Sequence, residues 1–204
     1  MTVESLVLQD EPNPTDPSSP GFEAAVADLT QGRTVVVEMD DRVALVLAAR
    51  TASATETAFC IRHSSGFLEV VLPASTCDRL LIPEASAFDG HTHRAVRQCV
   101  AVDAVGGTTG ISAADRALTA RTLGEPRTTH LDITRPGHVI VQKIDDHPAT
   151  SSLAHAAVAL CYRATGSAAA VIAELVSPID PRRMADRHDA VQFARTQGLE
   201  VICA

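Results

Sequence analysis

The sequence has few aromatic residues and almost no lysine. Phe, Tyr and Trp together make up 3% of its 204 residues, and Trp is absent. Lys143 is the only lysine, so nearly all positive charge is carried by arginine. Because large rings are scarce, the core must be built from Val, Leu, Ile and Ala, which contribute to a hydrophobic content of 46% that is ordinary for a globular protein.

Other absences exclude several functional classes. No run of basic residues is present and the net charge is −8, so a nucleic acid is not expected as a partner. The five cysteines are widely spaced and form no CxxC pair, which favours reduced thiols in a cytoplasm over a zinc ribbon or a disulfide framework. No apolar stretch reaches the length of a membrane span, and no signal peptide is predicted at the N-terminus.

The chain divides into a polar lead-in and one predicted domain. Residues 1–21 end in a stretch rich in Pro, Ser and acidic residues, which predicts an extended or disordered segment. Residues 22–204 mix helical and strand patterns without a regular βαβ repeat. This mixture predicts a single α+β domain, in which helices pack around a mixed sheet.

The segment GGTTGISAADRA, residues 106–117, differs from the Ala-, Val- and Arg-rich sequence around it. Ser112 is a good N-cap residue, and Asp115 occupies the position three residues later where an acid completes a capping box. Thr108 and Thr109 add hydroxyl groups before the helix. The segment therefore fits either a plain capping box or a site for an oxyanion or polyol at exposed N–H groups of a helix start.

TTGISAADRA, together with RPGHV at residues 135–139, resembles the 3,4-dihydroxy-2-butanone-4-phosphate synthase family of riboflavin biosynthesis. IRHSSG at residues 61–66 and AAVIAEL at residues 169–175 follow the family's order, and the resemblance covers residues 22–202. Several motifs in the right order are more specific than any single one. The resemblance implies an α+β homodimer with active sites at the subunit interface. It also implies that ribulose 5-phosphate is converted to formate and a four-carbon phosphorylated ketone, with magnesium holding the substrate oxygens.

The resemblance also suggests which residues form the site. His138 and Glu174 fall where the family keeps residues needed for catalysis, and such a pair can transfer protons. Matching positions imply substrate-binding roles for Arg42, Thr108, Thr109, Asp115, Arg116, Thr150, Ser151 and Ser152.

The sequence departs from the family's metal and phosphate motifs. Val43 stands where the family has the first Glu of an acidic loop, a magnesium ligand, and the loop itself is shorter. Residues 150–156 correspond to the family's Arg-Gly-Gly-His-Thr-Glu-Ala motif, with Leu153 in place of the second metal ligand. Glu69 replaces a Cys of the family. From these changes we expect no metal ligands and no cofactor, because magnesium requires oxygen-rich ligands.

Three functions are compatible with this pattern. The first is a metal-independent enzyme that acts by acid/base chemistry on a small keto-sugar or related carbonyl metabolite, as a cytoplasmic homodimer. The second is a non-catalytic protein that binds a metabolite or pairs with an active homologue. The third is the family's own reaction, with metal ligands recruited from Glu38, Asp40 or Asp41. His91 and His93 stay open as either solvated side chains or metal ligands.

Overall fold

The β-branched segments of the sequence form one mixed sheet, which helices cover on both faces. In the computed structural model, residues 20–86, 96–147 and 152–203 are described. Most of the predicted lead-in, and the predictions for His91, His93, Thr150 and Ser151, lie outside these residues. The described part contains eight strands, six α-helices and one 3-10 turn, which confirms the α+β prediction. The elements are α1 (Pro20–Thr30), β1 (Val35–Met39), β2 (Arg42–Ala48), the 3-10 turn (Ala49–Thr51), α2 (Ala54–His63), β3 (Glu69–Pro73), α3 (Ala74–Arg79), β4 (Val96–Gln98), β5 (Val102–Ala104), α4 (Ala113–Gly124), β6 (Ile133–Ile144), α5 (Leu153–Thr165), β7 (Ala170–Glu174), α6 (Arg187–Gln197) and β8 (Val201–Cys203).

The strand order explains how distant motifs meet. It runs β4-β6-β3-β7-β2-β1-β8, with β5 alongside β6. β3 runs parallel to β6, whereas β7 runs antiparallel to both β3 and β2. The start of β3, the end of β7 and the start of β2 therefore lie at one end of the sheet. Residues far apart in sequence are adjacent at this end.

Two apolar layers stabilise the sheet. The helices α2, α4 and α6 pack on one face, and α1 and α5 pack on the other. Along β1, Val36 faces the first layer, whereas Val35 and Val37 face the second. Because both faces of the central strands are covered, the strands read as nearly continuous apolar runs rather than as alternating patterns.

A tight hairpin joins the first two strands. Asp40 and Asp41 both have positive φ, of 50° and 60°. Two central residues in this region form a type I′ turn, whose twist matches that of the flanking strands. The register pairs Met39 with Arg42, so the turn places Arg42 at the first position of β2.

The segment VRQCVAVDAV, residues 96–105, alternates between apolar and polar residues, which predicts a single strand, but the structure differs. It forms two short strands that pair with different parts of β6. Val102 pairs with Val139 whereas the next residue, Asp103, pairs with Thr134, so residues 135–138 of β6 are extra residues, as at an enlarged β-bulge. A bulge bends a strand and changes the direction of its side chains. This irregularity is what brings Asp103 into the site described below.

The helix ends follow local sequence signals. Ser112 caps α4, as predicted, by accepting a hydrogen bond from the backbone N–H of Asp115 at 3.0 Å. Gly166 ends α5 in the left-handed conformation with φ of 70°, a common helix C-cap. Within the described ranges, no helix combines the length and the apolar character that crossing a bilayer requires.

Candidate active site

His138 and Asp103 form a hydrogen-bonded pair at the edge of the site. The ring Nδ1 of His138 lies 2.7 Å from a carboxylate oxygen of Asp103, and the backbone N–H of His138 donates to the other oxygen at 3.0 Å. A carboxylate at Nδ1 accepts its proton, which leaves Nε2 as the free ring nitrogen. About half of the His138 side chain is exposed, compared with 17% of Asp103. This arrangement is that of an oriented, accessible proton acceptor.

Two glycines allow three chain segments to meet at this pair. A Cβ on Gly137 would lie 2.1 Å from the carbonyl carbon of Val102, so only glycine lets β5 approach β6 this closely. A Cβ on Gly110, which has φ of +78°, would lie 2.3 Å from the Asp103 carboxylate and 2.5 Å from the His138 ring. The glycines of the RPGH and TTG motifs thus allow β5 and the Thr-Thr-Gly loop to pack closely around His138.

We expect Gly137→Ala to destabilise the fold. The added methyl group would overlap backbone atoms of Val102, which cannot move as a flexible side chain can. Overpacking of this kind should lower the free energy of unfolding by at least about 2 kcal/mol in urea denaturation. Gly21→Ala is the matched control, because nothing lies within 4 Å of the added methyl group. Equal stability of the two variants would contradict the close approach of β5 and β6.

Asp115 fixes the Thr-Thr-Gly loop. One carboxylate oxygen accepts the N–H of Thr108 at 2.9 Å, and the other accepts the Thr108 hydroxyl at 2.7 Å and the N–H of Gly110 at 3.2 Å. The hydrogen bonds from the side chain and the backbone of Thr108, followed by those from Ser112 and Gly110, lower the pKa of Asp115 to about 2. Asp115 therefore fixes the loop through both of its carboxylate oxygens.

Asp115→Asn should show a pH-dependent loss of stability. Because the pKa in the folded state lies below the ordinary value of 3.8, the charged carboxylate stabilises the fold at neutral pH. This contribution is full above about pH 5 and is lost as the pH falls through about 2. Urea denaturation at pH 6.5, 4.5 and 3 should give a difference between wild type and variant that shrinks towards low pH. Glu200→Gln is the control, since its carboxylate accepts no hydrogen bond within the described part of the chain. A difference independent of pH would contradict this account.

Glu174 and Arg42 form the second polar contact of the site. An Arg42 guanidinium N–H donates to Oε1 of Glu174 from the first residue of the neighbouring strand. The register pairs Glu69 of β3 with Ile140 of β6 and with Ile172 of β7. His138 and Glu174 each lie two residues from these partners, so they lie at the same end of the sheet. With one strand between them, their Cα atoms are about 10 Å apart.

Glu69 adds a second carboxylate to this end of the sheet. It is only 6% exposed, and its Oε1 accepts a hydrogen bond from the amide of Gln142. Burial raises the pKa of Glu69. The hydrogen bond from Gln142 lowers this pKa, whereas the negative charge of Glu174 raises it further. A carboxyl group that neighbours another carboxylate is typical of functional sites.

The other predicted binding residues are spread around this centre. Thr109 is exposed beside Gly110. Arg116 donates a hydrogen bond to the carbonyl of Gly66 at 2.9 Å. Partial burial of the Arg116 guanidinium lowers its pKa. Ser152 precedes α5 and lies 2.8 Å from the ring nitrogen of His155. The structure thus brings Arg42 to Glu174 and the Thr108 loop to His138, whereas it gives Arg116 and Ser152 structural contacts of their own.

A different acidic group lies near the start of α6. Asp186, His188 and Asp189 place potential ligand atoms within 4.8 Å of one another, and no other such cluster is found among the described residues. Arg183 already pairs with Asp189 at 2.8 Å, and Asp186 caps the helix by accepting the N–H of Asp189 at 2.9 Å. These carboxylates are therefore engaged in a helix cap and an ion pair.

The geometry can be compared with known proteins. The family model for 3,4-dihydroxy-2-butanone 4-phosphate synthase matches residues 23–204, nearly the whole chain. The chain belongs to the 3,4-dihydroxy-2-butanone 4-phosphate synthase family. The riboflavin biosynthesis protein RibBA of Nocardia farcinica is 39% identical over 188 residues, which cover 89% of this chain and 45% of that protein. RibBA of Mycobacterium tuberculosis is 37% identical over 187 residues, 88% of this chain and 44% of that protein. The chain thus spans less than half the length of these curated relatives.

Solved structures of synthases show the same fold. The enzyme of Candida albicans superposes with a TM-score of 0.79 at 30% identity, covering 89% of this chain and 92% of that one. A second synthase structure, described as a complex with two magnesium ions, gives a TM-score of 0.78 at 30% identity over the same shares of the two chains. This finding overturns the expectation that no cofactor is involved, because a structure this similar binds magnesium. The expectation of no cofactor, drawn from residues 43 and 153, was wrong.

Sequence reasoning missed two members of the site. Asp103 lies in a segment whose sequence alternates like a strand, and the only sign of its role is a carboxylate close to the Gly-Gly-Thr-Thr segment. Glu69 was recognised as a replacement for Cys but was not placed with Glu174. The pairing of β3 with β6 and β7 is needed to see that these side chains share a face.

Proposed function

We propose that this chain catalyses the reaction of its family, the conversion of ribulose 5-phosphate to formate and 3,4-dihydroxy-2-butanone 4-phosphate, with magnesium. The proposal replaces the metal-independent reaction considered from the sequence. The observation that carries it is the convergence of His138, Asp103, Glu69 and Glu174 at one end of the sheet. Enolisation of a sugar requires a proton acceptor next to groups that stabilise negative charge, and this end provides both.

His138 is proposed to move protons at Nε2. Asp103 holds the ring through Nδ1, which fixes both its orientation and its tautomer. The free Nε2 can take a proton from the carbon next to the substrate carbonyl and return it in a later step. Gly110 and Gly137 keep the surrounding backbone close to the ring, and this limits the space available to it.

Glu69 and Glu174 would hold the magnesium ion. Gln142 donates to Oε1 of Glu69, and Arg42 donates to Oε1 of Glu174. The Oε2 atom of each carboxylate accepts no hydrogen bond from the described residues. Magnesium is usually bound by one or two carboxylates and several waters, so this donor set fits the ion. When bound, the ion stabilises negative charge that develops on the substrate oxygens. Arg42 keeps the Glu174 carboxylate oriented towards the same face.

The exposed loop is proposed to contact the sugar. Thr109 is exposed and precedes Gly110, which lies against the His138 ring. The Thr108 hydroxyl of the same loop is held by Asp115. Two apolar side chains are also exposed here, Phe67 at 52% and Ile111 at 58%. Because exposed apolar side chains beside a site favour burial against another surface, we propose a homodimer that covers them. Sedimentation equilibrium should give twice the chain mass.

Formate release from ribulose 5-phosphate tests the proposed function. We expect formate in the presence of magnesium, none after excess chelator, and full recovery when magnesium is restored. If folded protein releases no formate under any condition, the proposed reaction is wrong. If the chelator leaves the rate unchanged, the assignment of magnesium to Glu69 and Glu174 is wrong.

A further inference from the structure

A cavity that contains neither His138 nor Glu174 lies beside the 3-10 turn. It has a volume of about 570 Å³ and is bordered by the 3-10 turn, the end of α4 and the loop that follows it. Arg50 follows the far end of β2, whereas Arg42 begins that strand, so these two arginines are roughly 20 Å apart. Val105 of the lining lies two residues after Asp103, just beyond the end of β5. Three of the lining residues are arginines, Arg50, Arg121 and Arg127.

The walls of this cavity are fixed by hydrogen bonds to backbone carbonyls. Arg50 donates to the carbonyl of Thr165 at 3.1 Å, and Arg121 donates to the carbonyl of Ala52 at 2.6 Å. Ser167 donates to the carbonyl of Gly124 at 2.6 Å, which ties the end of α4 to the segment after α5. Two guanidinium groups are therefore positioned by an ordered frame, and a single bond to a carbonyl leaves each with further N–H donors.

The loop that carries Arg127 is also ordered. Thr128 is only 6% exposed. Its backbone N–H donates to the carbonyl of Glu125 at 3.0 Å, and its hydroxyl donates to the carbonyl of Thr122 at 2.5 Å. The Arg127 guanidinium forms no hydrogen bond or ion pair with the residues that the structure describes. A cation without a partner at the edge of a cavity is available to a ligand.

The two acidic residues of the cavity are already engaged. A carboxylate oxygen of Glu125 accepts the backbone N–H of Arg127 at 3.4 Å. Asp132 accepts the N–H and the hydroxyl of Thr129 at 2.7 and 2.8 Å, and these bonds, together with His130, lower its pKa. Neither carboxylate forms an ion pair with the three arginines in the structure. Three arginines and two carboxylates give the lining a formal charge of +1, although the chain as a whole carries −8.

We propose that this cavity binds a small anion with two adjacent phosphoryl groups, through Arg50, Arg121 and Arg127. Guanidinium groups match phosphate oxygens bidentately, and three of them can share the oxygens of a diphosphate group. A single phosphate would engage fewer of these donors. The negative charge of the whole protein argues against a nucleic acid as the occupant.

Isothermal titration calorimetry with inorganic pyrophosphate tests this proposal in the presence and absence of 150 mM salt. Wild type should bind pyrophosphate at least tenfold more tightly than orthophosphate. Arg127→Ala should weaken the binding of pyrophosphate at least tenfold, and Arg127→Lys should weaken it less. Arg195→Ala is the matched control, since it removes an exposed arginine of α6 and should change the affinity less than twofold.

The same experiment separates this cavity from the active site. Arg42→Ala should leave the affinity for pyrophosphate unchanged, and Arg127→Ala should leave formate release unchanged. Weaker binding in Arg42→Ala but not in Arg127→Ala would place the anion in the active site and overturn the proposal. Absence of pyrophosphate binding in wild type, or equal effects of Arg127→Ala and Arg195→Ala, would also overturn it.

Discussion

Replacing His138 with Asn is expected to lower kcat for formate release by roughly 10²–10⁴-fold, the range for loss of a general acid/base group. Asn retains a polar side chain near Asp103 but cannot exchange a proton at the position of Nε2. Because His138 is proposed to act on the reacting carbon, KM should change much less than kcat. Initial rates measured over a range of ribulose 5-phosphate concentrations give both constants.

A control variant and a second test variant accompany this prediction. His188→Asn removes an exposed histidine of α6 and should leave kcat within twofold of wild type. Asp103→Asn should lower kcat and alter its pH profile, because the carboxylate that holds Nδ1–H is lost. A His138→Asn enzyme with normal kcat and normal stability would show that the ring has no part in proton transfer.

Glu174→Gln is expected to lower kcat by roughly 10²-fold or more. Gln keeps the shape of the side chain and an oxygen that can accept from Arg42, but it removes the negative charge that the site requires. The variant should also need more magnesium for half-maximal activity, because one of the two proposed carboxylate ligands is neutral. Rates at saturating substrate over a magnesium titration give both values.

The control for Glu174→Gln is Glu23→Gln on α1. The Glu23 carboxylate is 60% exposed and contacts Arg163 only at 3.9 Å, so its loss should affect neither kcat nor the magnesium requirement. If Glu174→Gln keeps wild-type kcat and magnesium dependence, the carboxylate has no role in the site. If only kcat falls, Glu174 acts on the substrate and does not hold the ion.

Much of the fold could be predicted because its signals are local. Ser112 before an apolar helix predicts the start of α4, and Gly166 predicts the end of α5. The apolar runs around residues 35–39 and 170–174 predict strands, and the continuous apolar run around residues 43–48 predicts a buried strand. These signals depend only on neighbouring residues, so one sequence is enough to read them.

The site was less predictable because it depends on strand register. His138 and Glu174 were found through motifs, but the partner of each is distant in sequence: Asp103 for His138 and Arg42 for Glu174. Asp103 enters the site through an irregular register, which alternation cannot reveal. Leu153 and Val43 indicated a loss at two positions, but the sequence could not indicate that Glu69, which we propose as a metal ligand, shares a face with Glu174.

The fate of the first carbon of the substrate tests the central claim most directly. Ribulose 5-phosphate carrying ¹³C at C1 should be followed by NMR in the presence of the protein and magnesium. The account predicts that the label is recovered in formate and that the four-carbon phosphorylated product is unlabelled. Recovery of the label in a five-carbon product, or an unchanged substrate with folded protein and saturating magnesium, would contradict it.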